Sequence, residues 1–188
     1  MVTIDFILGS VFNVASFGLI SVKVSSPLAV TVDSHIAALT VALSHDSGNT
    51  SDHITNDGAL VLGNQETGAT VEYSTDGGQH WSQVFTPQQG DNTITVRQTD
   101  AAGNVSPPTS FNFTLDTTVA APTVSLRTDS GDSQTDKLSN QGTLTVVSEP
   151  GAVVEYSTDG GASWQSSFNP QHEGPNTVLV RQTDVAGN

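Results

Sequence analysis

Two long stretches of this chain are nearly the same text, and that repetition limits its folds more than any other feature. GATVEYSTDGGQHWSQVFTPQ, from residue 68, lies over GAVVEYSTDGGASWQSSFNPQ, from residue 151. NTITVRQTDAAGN lies over NTVLVRQTDVAGN, and upstream DSGNTSDHITNDGAL lies over DSGDSQTDKLSNQGTL. The period is about 83 residues, measured from Tyr73 to Tyr156, and it exceeds the ~20–50 residues of solenoid units. Each repeat is long enough to bury a core of its own. The expectation is two tandem domains, not a solenoid.

Within a repeat the apolar residues alternate with polar ones, which is the period of a strand with one buried face. Leu39, Val41 and Leu43 open the first repeat, and Val124 and Leu126 match them in the second. Leu60 and Leu62 follow. Val71 and Tyr73 point one way, with Thr70, Glu72 and Ser74 the other way. Ile94 and Val96 form a late strand, and Phe111, Phe113 and Leu115 close the repeat. No stretch carries helical periodicity. Short strands with frequent turn signals predict an all-β chain of tandem immunoglobulin-like β-sandwich domains.

The closing pattern also occurs ahead of the first repeat. Pro27-Leu-Ala-Val-Thr-Val-Asp33 aligns with the segment from Thr109 to Asp116. The predicted organisation is an N-terminal segment at 1–33 that carries the closing strand of a preceding repeat, then repeat 1 at 34–116. Repeat 2 follows at 117–188 and lacks a closing strand. The chain therefore reads as a piece of a longer array. An open sandwich edge invites pairing, so strand exchange between molecules through residues 24–33 is an expected interaction. Residues 1–22 are fairly apolar, but Asp5 precedes any Lys or Arg, unlike a signal peptide. Polar residues interrupt the ~20 apolar positions a membrane span needs. Strands at 2–8 and 18–24 are expected instead, with no membrane insertion.

Charge narrows the partners. Nineteen Asp and Glu face five Lys and Arg, for a formal net charge of −14, so a nucleic-acid partner is excluded by repulsion from phosphate. The chain has no cysteine, which removes disulfides and thiolate metal sites. Such an excess of like charge destabilises a compact fold unless cations bind.

STDGGQHW and STDGGASW resemble the Asp box of sialidases and related propellers. A propeller needs a blade every ~40–50 residues, and here the motif occurs once per repeat. Asp-Gly-Gly supplies a tight turn, and Trp81 is expected to fold over it onto the core. Glu72 and Arg97, like Glu155 and Arg181, are expected to pair across strands. No pair of acids converges as a glycosidase requires, so the chain is read as non-enzymatic.

The repeated aspartates fall at strand ends. Asp33 and Asp116 precede each repeat. Asp46 and Asp52, matched by Asp129 and Asp136, follow each first strand. Asp100 and Asn104, matched by Asp184 and Asn188, follow the late strand. Oxygen ligands converging from loops suit Ca2+, which takes about 6–8 of them. If two sandwiches stack end to end, Asp46, Asp52, Asp116, Asp184 and Asn188 meet at the junction. Asp33, Asp100 and Asn104 form a half-site at one free end, and Asp129 with Asp136 forms one at the other.

DTTVAAPTVSLRTDSGDSQTD, VEYSTDGGASW and VRQTDVAGN together resemble the bacterial Ig-like repeats of giant RTX-type adhesins, over residues 24–188. The resemblance implies a secreted or bacterial cell-surface protein whose tandem domains act as extenders and pack against neighbouring repeats. It implies Ca2+ at the junctions, stiffening the rod. The alternative is a glycan- or ligand-binding Ig-like module of a secreted protein, using Trp81 or Trp164 as a stacking platform.

Overall fold

The computed structural model describes residues 30–188. The strands expected at 2–8 and 18–24 lie outside the described residues, as does the 24–33 strand before Val30. From Val30 to Asp33 the chain belongs to no strand. Asp33–Asn188 forms one compact unit. The boundary at 116/117 is not a gap, because the two repeats touch there.

Every regular element among the described residues is a strand. Repeat 1 holds β1 (Thr40–Leu43), β2 (Ile54–Thr55), β3 (Leu60–Gly63), β4 (Thr70–Ser74), β5 (Gly90–Thr99) and β6 (Thr109–Leu115). β1 pairs antiparallel with β3, placing Val41 opposite Leu62. The second sheet runs β2-β6-β5-β4. In it Tyr73 faces Val96 and Ile94 faces Phe111, while Ile54 lies parallel beside Thr114. The sheets close on Leu39, Ile94 and Val96, ringed by Val41, Leu60, Leu62, Val71, Tyr73, Phe85 and Phe111. Alternation aims one side of each strand inward, so each large apolar side chain there contributes about 1.5–3 kcal/mol. This is an immunoglobulin-like β-sandwich.

Repeat 2 repeats the pairings with β7 (Thr123–Leu126), β8 (Leu144–Val147), β9 (Val153–Ser157) and β10 (Leu179–Thr183). β7 pairs with β8 and β9 with β10, both antiparallel. No described residue takes the place of β6. Val178 and Val180, the counterparts of Ile94 and Val96, consequently stay partly exposed.

The Asp box is a hydrogen-bonded corner. Ser74 was expected to face outward, yet it is buried, because its Oγ donates to Asp76 Oδ1 at 2.7 Å and accepts from Gly78 N at 2.8 Å. Asp76 Oδ1 also accepts from the N–H groups of Gln79 and His80, each at 3.0 Å. Gly78 sits at φ 91° with the Trp81 ring against it, a backbone conformation that disfavours side chains. Trp81 does not fold onto the core. Arg97 alternates with the buried Val96 and Gln98, so it emerges on the outer face, and its guanidinium carbon lies 4.0 Å from the Trp81 ring centroid. Trp81 Nε1 donates to Gly78 O at 2.9 Å. The expected Arg97–Glu72 pair closes at 2.9 Å and the Arg181–Glu155 pair at 2.8 Å, with Trp164 over Arg181 at 4.2 Å. Each Trp is a lid on an ion pair, where a partly desolvated cation favours an aromatic face.

These turns carry an acid signature. The His80 backbone N–H and side chain hold the Asp76 carboxyl well below the usual range, and the Ser163 hydroxyl and backbone do the same for Asp159. A carboxyl lowered by folding stabilises the fold fully above its ordinary value. That contribution is lost as pH falls through the folded value. Asp159→Asn is therefore expected to melt earlier than the parent at pH 7, with the two melting curves converging in strong acid. Thermal melts across pH check this; a constant gap would contradict it.

Candidate metal centre and repeat junction

At the free end of repeat 1, Asp33, Glu66 and Asp100 each bring a carboxylate oxygen within 4.8 Å of the others. Asp100 is set by its own turn. Its Oδ1 accepts from Ala102 N at 2.9 Å and Asn104 N at 2.8 Å, and its Oδ2 accepts from Asn104 Nδ2 at 2.7 Å. The Asn104 side chain leads the causes that hold the Asp100 carboxyl below its usual value, so it stays charged beside two other acids. The same Nδ2 donates to Asp33 O at 3.1 Å, tying the incoming chain to the turn. Asn104 thus serves as a clamp as well as a candidate ligand.

Glu66 was not among the expected residues. It is placed by Gln98, which is fully buried. Gln98 Oε1 accepts from Glu66 N at 3.0 Å, and its Nε2 donates to Ala37 O at 2.8 Å and Asn64 O at 3.0 Å. Gln182 does the same in repeat 2, accepting from Glu149 N at 2.9 Å and donating to Ala120 O at 2.6 Å. The signal was in the sequence: Glu66 and Glu149 are both 7 residues before the tyrosine of VEY.

The junction reuses this end. Asn188 Nδ2 donates to Asp116 O at 2.8 Å and to Asp184 Oδ2 at 2.9 Å, as Asn104 does with Asp33 and Asp100. Against it rests the loop after β1. Ser47 Oγ donates to Ala186 O at 2.5 Å, and Ala186 is buried. Gly48 has no room for a side chain, because a Cβ there would strike the main-chain oxygen of Val185. Asp116 N donates to Thr55 O at 2.8 Å, fastening the linker to the same loop.

The structure thus brings Asp116, Asp184 and Asn188 into one hydrogen-bonded set and lays the Asp46 loop against it. It does not bring the carboxylates of Asp46, Asp52, Asp116 and Asp184 to the close mutual spacing of the free end. The difference lies partly in Glu149, whose Oε1 accepts from Ala120 N at 2.7 Å, and in Asp116, whose Oδ1 takes Gln89 Nε2 at 2.9 Å. Asp46 is spent only in part. Its Oδ2 accepts from His53 N at 3.3 Å, while Oδ1 is buried without a hydrogen-bond partner. Asp129, at the far end of repeat 2, copies this: Oδ2 accepts from Lys137 N at 3.0 Å and Oδ1 is buried and unpartnered. Asp52 and Asp136 cap their turns through Ile54 N and Leu138 N. A buried carboxylate oxygen without a donor is costly, and a cation is one remedy. The donor set is all oxygen, which fits Ca2+.

The family model for the chitobiase/beta-hexosaminidase C-terminal domain matches residues 53–106, from just before β2 to just beyond the Asp100–Asn104 turn. No curated protein matches the chain. The matched segment contains Glu66, Asp100 and Asn104 and supports, with the pairing of β4, β5 and β6, an immunoglobulin-like sandwich domain.

Proposed function

We propose that the chain is a non-enzymatic extender segment of a large bacterial surface adhesin, secreted and held outside the cell, with Ca2+ at the ends of its repeats. The observation that carries the reading is the Asp33–Glu66–Asp100 cluster. It stands at the end of repeat 1 that corresponds to the end repeat 2 presents to the junction. Asp33, Glu66 and Asp100 would hold the ion at the free end. At the junction Asp46, with its unpartnered Oδ1, would offer a ligand beside Asp52, Asp116 and Asp184, whose carboxylates are not gathered as at the other end, and Asp129 with Asp136 would offer ligands at the far end. When bound, Ca2+ supplies the positive charge that these acids lack. The chain's own residues do the rest: Asn104 and Asn188 lock the incoming chain to the turn, and Ser47 and Gly48 seat one repeat on the next. Without the ion, acids of two domains repel across the joint.

Extracellular modules hold Ca2+ with dissociation constants on the order of 0.1–1 mM. Calorimetric titration of the chain is expected to fall in that range. Glu66→Gln, an exposed change, is expected to weaken one class of site by about tenfold, since affinity follows ligand charge. No heat with Ca2+, or identical titrations for parent and variant, would overturn the assignment.

The match to a domain of chitobiases favours one other reading, an appended ligand-binding module. Trp81 and Trp164 would be its stacking platforms, but a guanidinium already covers each ring. A chitin oligosaccharide is expected to leave tryptophan fluorescence unchanged; saturable quenching would favour the module.

A further inference from the structure

We propose that Asn49, in the loop after β1, is a site of N-glycosylation, its side-chain amide accepting a sugar from a donor activated at C1 by a diphosphate. The modification goes beyond the calcium reading and does not depend on it.

Asn-X-Ser/Thr is the acceptor pattern for this chemistry, and it occurs three times, as Asn49-Thr-Ser, Asn104-Val-Ser and Asn112-Phe-Thr. The pattern alone does not separate the three, but the fold does. Asn104 is already engaged. Its Nδ2 donates to Asp33 O at 3.1 Å and to Asp100 Oδ2 at 2.7 Å, which occupies both hydrogens. Ser106, which would supply the hydroxyl, is 4% exposed and accepts from Gln98 N at 3.0 Å. Asn112 is exposed, but it lies within β6, opposite Thr93, and β6 is held between β2 and β5. An enzyme can bend that backbone only by unpairing the sheet. The Thr114 hydroxyl is turned away, donating to Asp91 Oδ1 at 2.8 Å.

Asn49 is placed differently. Asn49, Thr50 and Ser51 are all exposed and lie in a turn outside the strands. Ser51 N donates to Asn49 O at 2.8 Å, which folds the chain back on itself. The Ser51 hydroxyl then reaches the Asn49 side chain and donates to Oδ1 at 3.2 Å. A donor on the amide oxygen polarises the group and makes its N–H hydrogens more acidic. Asn49 Nδ2 itself makes no hydrogen bond among the described residues. The transfer balances without an oxidant or reductant. Nδ2 bonds to C1 of the sugar, and the C1–O bond to the diphosphate breaks. The diphosphate leaves with the electron pair, and one Nδ2 proton passes to a base of the transferase.

The position is also specific. Ser47 Oγ donates to Ala186 O, and a Cβ on Gly48 would strike the main-chain oxygen of Val185, so the residue before Asn49 is pressed against repeat 2. Asn49 stands at the rim of that contact. The matching position in repeat 2 is Asp132, which has no amide to offer. A bulky, solvated sugar on Asn49 shields the loop at the joint. It neutralises none of the acids in the candidate metal set.

The purified, folded chain is offered two donors in separate reactions. One is UDP-glucose with a soluble transferase of Asn-X-Ser/Thr specificity. The other is a polyprenyl-diphosphate oligosaccharide with a membrane oligosaccharyltransferase. Intact mass and peptide mapping are expected to show one glycan per chain, on the peptide that carries Asn49, and the donor that serves identifies the source. Asn49→Gln and Ser51→Ala change exposed side chains, so both are expected to melt as the parent does and to lose the modification. Transfer with neither donor would overturn the proposal. So would transfer that persists in Asn49→Gln, or that goes to Asn104 or Asn112. None of these readouts depends on calcium, so the outcome is separate from that of the calcium titration.

Discussion

Gln98→Ala is expected to lower the stability of repeat 1 by about 4 kcal/mol, a large effect for a polar substitution. The side chain is fully buried and makes three hydrogen bonds, to Ala37 O, Asn64 O and Glu66 N. Truncation removes all three hydrogen bonds, and each main-chain group that water does not then reach costs about 1–3 kcal/mol. It also frees the segment that carries Glu66. Chemical denaturation gives the stability, and the same variant is expected to lose the calcium heat assigned to the Asp33–Glu66–Asp100 cluster. A loss below about 1 kcal/mol would mean that water replaces the amide. The latch would then not position the acid.

Ile94→Ala is expected to cost about 3–4 kcal/mol, within the range for buried Ile or Leu truncations that leave a cavity. Ile94 is fully buried at the centre of β5, opposite Phe111, and sits in the cluster with Leu39 and Val96. Val178→Ala at the matching position is expected to cost less than half of that, because Val178 lines the open groove and is partly exposed. Equal losses at the two positions would show that repeat 2 has a closed core in solution.

Much of this architecture could be read from alternation. Val41, Leu62, Tyr73, Ile94 and Phe111 point inward as their spacing requires, and Glu72 meets Arg97 because both lie on the outer face in register. β2 was not legible: two residues cannot display a period, and its pairing with β6 depends on a partner about 60 residues away. Ser74 was misplaced by the alternation, and Gln98 was passed over. Ser74 lies on the Glu72 side of its strand and is buried by the hydrogen bonds of its own turn, while Gln98 shares the parity of Ile94 and Val96 and is buried because main-chain groups of Ala37, Asn64 and Glu66 satisfy it. Trp81 was drawn to the core by its size, but Arg97 offered a cation on the other face. At the candidate site the aspartates repeated at loop ends were visible, while Glu66 was passed over. A one-residue gap between the repeats shifts the loop around it, and its position depends on Gln98.

The stacking of the repeats also follows from small residues. Gly48 and Gly187 are needed because two backbones approach where a Cβ would clash. Ser47 and Asn188 then supply directional bonds to main-chain oxygens of the other repeat or the linker.

The central claim is that acids at the repeat ends bind Ca2+ and so hold the array rigid. A thermal melt in about 10 mM Ca2+, roughly tenfold above the weakest affinity of extracellular modules, tests it most directly against the same melt in EDTA. Tenfold saturation adds about 1.4 kcal/mol per site, or a rise of several degrees for domains of this size. The account predicts that rise with Ca2+, a smaller one with Mg2+, and a reduced one for Glu66→Gln. Superimposable melts in Ca2+ and EDTA would contradict it and leave a spacer held by its cores and by the Ser47, Gly48 and Asn188 contacts alone.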